Sequence, residues 1–208
     1  MAWRISTTMH DEFRPSVTLH PDDEALYDRM IEDVKREQNL YGLTAIAMNA
    51  GFKFPQPDHP FRLQITSDHE TLPPFLAARI SWAVPQSVID AIESLEPGVH
   101  RYWPVDITMK DGSEAEPRWL LNICNWLDTI SREHSNVGEV GTDPKFSILV
   151  MRPDGPKRIV SHREKVGQHA LWCEYKYQVA IVISNELAEL FREIGTEGLD
   201  FEMEIEEI

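Results

Sequence analysis

Basic residues are scarce in this chain. Across 208 residues, 20 Lys and Arg face 35 Asp and Glu, a formal charge of −15. Phosphate binding is dominated by Lys and Arg, so the scarcity argues against a nucleic-acid binder working through a general basic surface. It argues equally against a protein held by anionic membranes. Cysteine is nearly absent as well. Cys124 and Cys173 make no disulfide framework and suit a reducing cytosol, leaving open only a single bridge between them. No stretch approaches the roughly 18 apolar residues of a membrane span, and Met1-Ala2-Trp3-Arg4-Ile5-Ser6 opens no apolar run. The expectation is a cytoplasmic protein with no signal peptide and no transmembrane helix. The ten glycines form neither GxGxxG nor the GxxxxGK phosphate loop. GxSxG, HExxH, CxxC and zinc-like Cys/His spacings are missing too. No cofactor, metal site or catalytic constellation is therefore expected.

What is present reads as ordinary globular composition, with 42% apolar and 26% charged residues. Pro55, Pro57, Pro60, Pro73 and Pro74 crowd one region. That crowding suggests a boundary between an N-terminal part, residues 1–75, packed on a main body, residues 76–208. Pro21 and the acids Asp22, Asp23 and Glu24 open a helix through about residue 38, with Leu26, Tyr27, Met30, Ile31 and Val34 at helical spacing. The run Leu43 to Met48 is ambiguous in type. Phe61 to Thr66 alternates as a half-buried strand. Ile80 to Val84 reads as a strand, Pro85 opens a helix with Val88, Ile89, Ile92 and Leu95 on one face, and Gly98 ends it. Tyr102 to Met109 and Trp119 to Cys124 read as strands joined at Asp111-Gly112, a hairpin turn signal. A short helix is expected at 125–131, and a second hairpin from Phe146 to Val160 about Pro153-Asp154-Gly155. Val179 to Ile183 reads as a buried strand, and Ser184 as the N-cap of a helix through about Ile194. The tail alternates Phe201, Met203 and Ile205 with Glu202, Glu204 and Glu206. The fold class is α+β: a mixed or antiparallel sheet with hairpins and a few packed helices. Residues 80–107 echo residues 179–205 as strand, capped helix, Gly, strand, which raises a duplicated unit.

The chemistry-bearing side chains are scattered. His10-Asp11-Glu12, Asp58-His59 and Asp68-His69 set carboxylates beside imidazoles in polar contexts, where solvated surface histidines are expected. His162, His169 and Cys173 lie within a locally basic stretch, 152–176; these three are where an unrecognised enzyme site would sit. Trp172 and Glu174 flank Cys173, and Cys124 has no base in view, so both thiols read as buried small hydrophobes. Trp82, Trp103, Trp119 and Trp126 read as core. The most unusual run is the tail: residues 186–208 hold nine acids against Arg192. Glu202, Glu204 and Glu206 repel one another if they share a strand face. Cross-strand Arg or Lys, a hard cation or a basic partner would relieve that repulsion.

From about residue 80 onward the chain resembles a bacterial immunity-protein family, the one numbered eleven among the immunity domains of polymorphic toxin systems. Val88-Ile89-Asp90-Ala91-Ile92-Glu93 leads through Glu96-Pro97-Gly98-Val99-His100 to Trp103-Pro104-Val105. Leu120-Leu121-Asn122-Ile123 runs into Trp126-Leu127-Asp128 and Ser135. Val182-Ile183-Ser184-Asn185-Glu186-Leu187 continues to Gly198-Leu199-Asp200-Phe201. The resemblance implies a protein that binds and neutralises a cognate toxin stoichiometrically, by occlusion and without turnover. An acidic inhibitor would be steered to a toxin with a basic active face. The acids expected to meet it are Glu202, Glu204 and Glu206, with loops near Asp111 and Asp143. A scaffold or oligomerising module is the remaining alternative beside an enzyme.

Overall fold

The computed structural model describes residues 1–7, 14–38, 48, 50–141, 147–174, 176–177 and 180–208. Strand β1 (Ala2–Thr7) is followed by β2 (Val17–Leu19), helix α1 (Pro21–Gln38) and β3 (Phe61–Ile65). Next come β4 (Leu76–Ala77), β5 (Trp82–Val84), α2 (Gln86–Leu95), β6 (Arg101–Thr108), β7 (Arg118–Asn122) and β8 (Trp126–Leu127). The hairpin β9 (Val137–Val140) and β10 (Ile148–Met151) leads to β11 (Val160–Ser161) and α3 (Arg163–Val166). The chain closes with β12 (Leu171–Glu174), β13 (Ala180–Ser184), α4 (Asn185–Ile194) and β14 (Leu199–Glu207). His10, Asp11 and Glu12, Leu43 to Ala47, Asp143, Phe146 and Val179, all singled out above, lie outside the described residues.

The elements build two six-stranded sheets, β2-β3-β6-β7-β5-β4 and β11-β14-β1-β13-β12-β8, besides the β9–β10 hairpin. Five strands of each sheet repeat one plan. In the first, β3 runs parallel to β6, and β6, β7, β5 and β4 are successively antiparallel. In the second, β11 runs parallel to β14, and β14, β1, β13 and β12 are successively antiparallel. The registers coincide as far as an irregularity between Arg4 and Ile5. Trp119 on β7 pairs with Val84 and Pro104. Trp3 on β1 pairs with Ile183 and Glu204 in the same way. The echo of strand, helix and strand thus extends to whole lobes. The order along the chain differs in one respect: β7 follows β6, whereas its counterpart β1 comes from the N-terminus. The segment before residue 76 therefore supplies strands to both sheets.

Alternation explains the layers. On β13, Ile181 and Ile183 face a core shared with Ile5, Val88, Ile92, Leu121, Leu187 and Phe191. Ala180 and Val182 face a core with Ile130, Leu149, Ile159 and Trp172. Helices α2 and α4 pack on one another in the first of these, between the lobes. The opposite side of the first sheet turns Phe61, Leu63, Ile65, Trp103, Val105 and Ile107 onto Tyr27, Met30 and Val34 of α1. Buried Asp23, in the first turn of α1, clamps that helix to β3 by accepting from Arg62 N at 2.7 Å and Arg62 Nη2 at 2.7 Å. Ser184 caps α4, its hydroxyl accepting from Leu187 N at 3.1 Å. Gly198, at φ +93°, lets the chain turn against Phe75, whose carbonyl oxygen fills the space a Cβ would need.

Two expected elements are replaced. The segment at 125–131 contains no helix; β8 pairs in parallel with β12, and Ile130 bridges Ser161. Asn125 accepts from Cys173 N through its carbonyl at 2.9 Å, which draws the segment onto the sheet edge. The second hairpin also pairs differently. β10 runs against β9, while β11 joins β14. Pro153-Asp154-Gly155 is a bend held by Asn136 Nδ2, which donates to the carbonyls of Asp154 and Pro156.

Candidate functional site

The tail glutamates lie on β14, and all three are exposed, as expected. They do not form one simple face. The pairing of β1 with β14 shifts between Arg4 and Ile5, so Glu202 is the extra residue of a β-bulge. Leu199 and Phe201 therefore pack toward the helices, whereas Met203 and Ile205 pack on the opposite side. The expected repulsion is relieved by basic groups. Arg4 meets Glu202 at 2.9 Å, Arg158 meets Glu206 at 2.7 Å, and Arg163 meets Glu207 at 3.4 Å. The Met1 ammonium adds a contact to Glu207 at 3.1 Å. Hydrogen bonds from Arg158 hold the Glu206 carboxyl below its ordinary range. Among the described residues, no group of three His, Cys, Asp or Glu is placed to hold a metal ion.

Asp111 sits elsewhere, at the turn of the β6–β7 hairpin. Its Oδ1 accepts from Ser113 N at 2.9 Å and Ser113 Oγ at 2.6 Å, which lowers its pKa. It lines a cleft of about 1010 Å³ together with Asp68, Glu70, Glu114 and Glu116. Arg118 lies in the wall, 5% exposed. Its guanidinium donates to the carbonyls of Pro73 at 2.5 Å, Leu72 at 2.9 Å and Ala83 at 3.4 Å, and its Nε has no acceptor. The cleft acids come from two segments, and the fold joins them where Lys110 meets Asp68 at 2.6 Å.

The residues of the enzyme alternative have separate duties. Cys173 is fully buried, and burial with Glu174 alongside pushes its thiol well up. His162 precedes α3, its N–H donating to the Thr129 carbonyl at 2.9 Å. His169 Nδ1 bonds Glu96 Oε1 at 2.8 Å. Cys124 and Cys173 are free.

Sequence reasoning missed the buried polar groups. Glu96, 4% exposed, ends α2 and takes Asn125 Nδ2 and His169 Nδ1 on Oε1, and His100 Nε2 and Leu171 N on Oε2. Burial pushes its carboxyl up, but the bonds from His100, His169 and Leu171 outweigh that and leave it at about 2. The spacing of Glu96 and His100, one helical turn, is the only hint in the sequence.

Glu174 behaves oppositely. It is fully buried and accepts from Thr129 N at 2.6 Å and Thr129 Oγ1 at 2.5 Å. Burial raises its carboxyl from 4.5 to about 7, and the Thr129 donors only partly offset this. An acid with a raised folded pKa binds its proton more tightly in the folded than in the unfolded state. Its contribution to stability therefore declines as pH rises from about 4.5 to about 7, then levels. Glu174→Gln keeps an acceptor for Thr129 N–H, and its amide can donate to the hydroxyl. Urea midpoints should fall for the wild type between pH of about 5 and about 8, with a smaller fall in the variant. Equal pH dependence in the two proteins would remove Glu174 as the cause.

Comparison with protein-family models gives a match to the immunity protein family Imm11 over residues 13–204. It reaches well N-terminal of the stretch from residue 80 that carries the resemblance in sequence. No curated protein matches the chain significantly.

Proposed function

The chain belongs to the Imm11 immunity protein family, and from that premise we propose that it binds a cognate toxin protein and neutralises it by stoichiometric occlusion, without catalysis. The family match over 13–204 carries this reading. The net charge of −15 supports a toxin whose active face is basic, because complementary charge steers association. The reading places the protein in the cytoplasm, where it would meet the toxin before damage is done; no described helix is long and apolar enough to cross a membrane. Of the acids proposed for contact, Asp111 is supported by the carboxylates around it. Arginines already paired with Glu202 and Glu206 count against the strip on β14, where Glu204 keeps its carboxylate outside any ion pair described. Asp143 belongs to the proposal on sequence grounds alone.

The test is co-expression with the C-terminal domain of the protein encoded immediately upstream. Rescue of growth and a 1:1 complex by light scattering are the expected results. Killing undiminished by this chain would refute the proposal. Protection at well below one equivalent would refute the stoichiometric part.

A further inference from the structure

The acidic cleft of the first lobe has a second feature that its carboxylates explain only in part. Arg118 is buried in its wall as a cation held only by carbonyl oxygens. Burial of charge is costly, a cost the charge of Glu116 only partly offsets, and among the described residues the Nε–H finds no acceptor. A neighbouring cleft of about 690 Å³ shares Glu114, Ala115, Glu116 and Arg118 with the first. It runs along the polar face of the first sheet, over Gln64, Asp106, Thr108 and Trp119, with His20 and Arg62 also in its lining and Arg62 committed to Asp23. That face of β3 and β6 is turned away from α1. The two clefts thus meet at Glu114–Arg118 and offer carboxylates, an unmet donor and a half-buried aromatic ring along one path.

We infer that an extended basic segment of the toxin docks across Glu114–Arg118. Its Lys or Arg side chains meet Glu70, Asp111, Glu114 and Glu116, one of its backbone carbonyls completes the acceptors around Arg118, and it continues over Trp119. Charge complementarity selects this occupant: the first cleft carries five carboxylates against Lys110, which pairs with one of them, Asp68, and Arg118, with His69 beside them. The Nε–H is buried, so the carbonyl reaches it only if side chains of the cleft wall shift, as they commonly do on binding. The assignment rests on the immunity reading and specifies its surface.

Two measurements test it. In the first, the ¹⁵N-labelled chain is titrated with an octa-arginine peptide at low and high salt. Shifts should concentrate in residues 68–72 and 109–119, include the Arg118 Nε–H, and fade with salt. Shifts confined to β14, or spread evenly over all surface acids, would overturn the proposal. In the second, Glu114→Lys/Glu116→Lys should weaken binding of the upstream-encoded toxin domain by about ten-fold or more and flatten its salt dependence. Glu133→Lys/Glu193→Lys, matched in charge, should change it by less than about two-fold. If the toxin binds and Glu114→Lys/Glu116→Lys leaves affinity intact, or Glu202→Lys/Glu204→Lys causes the loss instead, the cleft is wrong while immunity stands. If the toxin does not bind the wild type at all, the immunity reading falls, and the peptide titration still decides the cleft.

Discussion

Asn122→Ala is expected to destabilise the protein by about 3 kcal/mol or more, measured as a drop in urea midpoint at unchanged slope. The side chain is fully buried. Its Nδ2 donates to the carbonyls of Met48 and Phe52 at 2.6 Å each, and its Oδ1 accepts from Phe54 N at 3.0 Å. One amide therefore binds the approach to β3 onto the end of β7. Met48 O keeps a second donor in Ile123 N at 2.9 Å. No other hydrogen bond is described for Phe52 O or Phe54 N, so alanine would bury both without partners. An unpartnered buried polar group costs about 1–3 kcal/mol, and a cavity would add to that. A loss under about 1 kcal/mol would mean that water or a local shift replaces the amide.

Glu96→Gln should cost a comparable amount near neutral pH, about 3 kcal/mol, because it breaks a buried charge-assisted cluster. A carboxylate offers acceptors on both oxygens, and both are used. The amide nitrogen of Gln would confront two donors, either His169 with Asn125 or His100 with Leu171 N–H. His100 cannot simply exchange tautomers, since its Nδ1 already accepts from Cys124 N at 3.2 Å. The cluster joins the end of α2 to β12, so its loss loosens one lobe from the other. The pH dependence carries the proper sign for a depressed acid. The stabilisation is complete above the ordinary value of 4.5 and is lost as pH falls toward about 2. The gap between wild type and variant should therefore narrow across that acid window. A gap independent of pH would assign the effect to packing.

The parts of the fold legible in the sequence were those with local causes. Pro21 and its three following acids mark α1, Ser184 marks α4, and Asp111-Gly112 marks a hairpin, because each signal acts within a turn or two of itself. The β-bulge at Glu202 was invisible, since it exists only in the pairing with Arg4 and Ile5. The local pattern at 125–131 points to helix, and β8 exists there only through its partner, β12, which lies far along the chain. The buried acids were illegible for the same reason. Thr129 donates to Glu174 across 45 residues, and Leu171 to Glu96 across 75. Apart from His100, four residues after Glu96, nothing near either glutamate distinguishes it from the exposed ones. The candidate surface was half legible: Asp111 could be picked out as a turn acid, but Asp68 and Glu70 arrive beside it only through the fold. Charge density in the tail points to β14, where Arg4 and Arg158, from elsewhere in the chain, pair with Glu202 and Glu206 but not with Glu204.

The placement of β1 has a consequence in time. The first lobe has all of its repeated strands once Asn122 has been made, and they can pair as they emerge. The second holds its earliest segment idle, because Ala2–Thr7 must wait for β13 and β14 to be translated. Closing so long a loop costs only logarithmically more than closing a short one, so the delay affects rate far more than final stability. Until β13 and β14 are made, β1 therefore has neither of its sheet neighbours, and the end of β14, where Ile205 pairs with Ala2, completes its place.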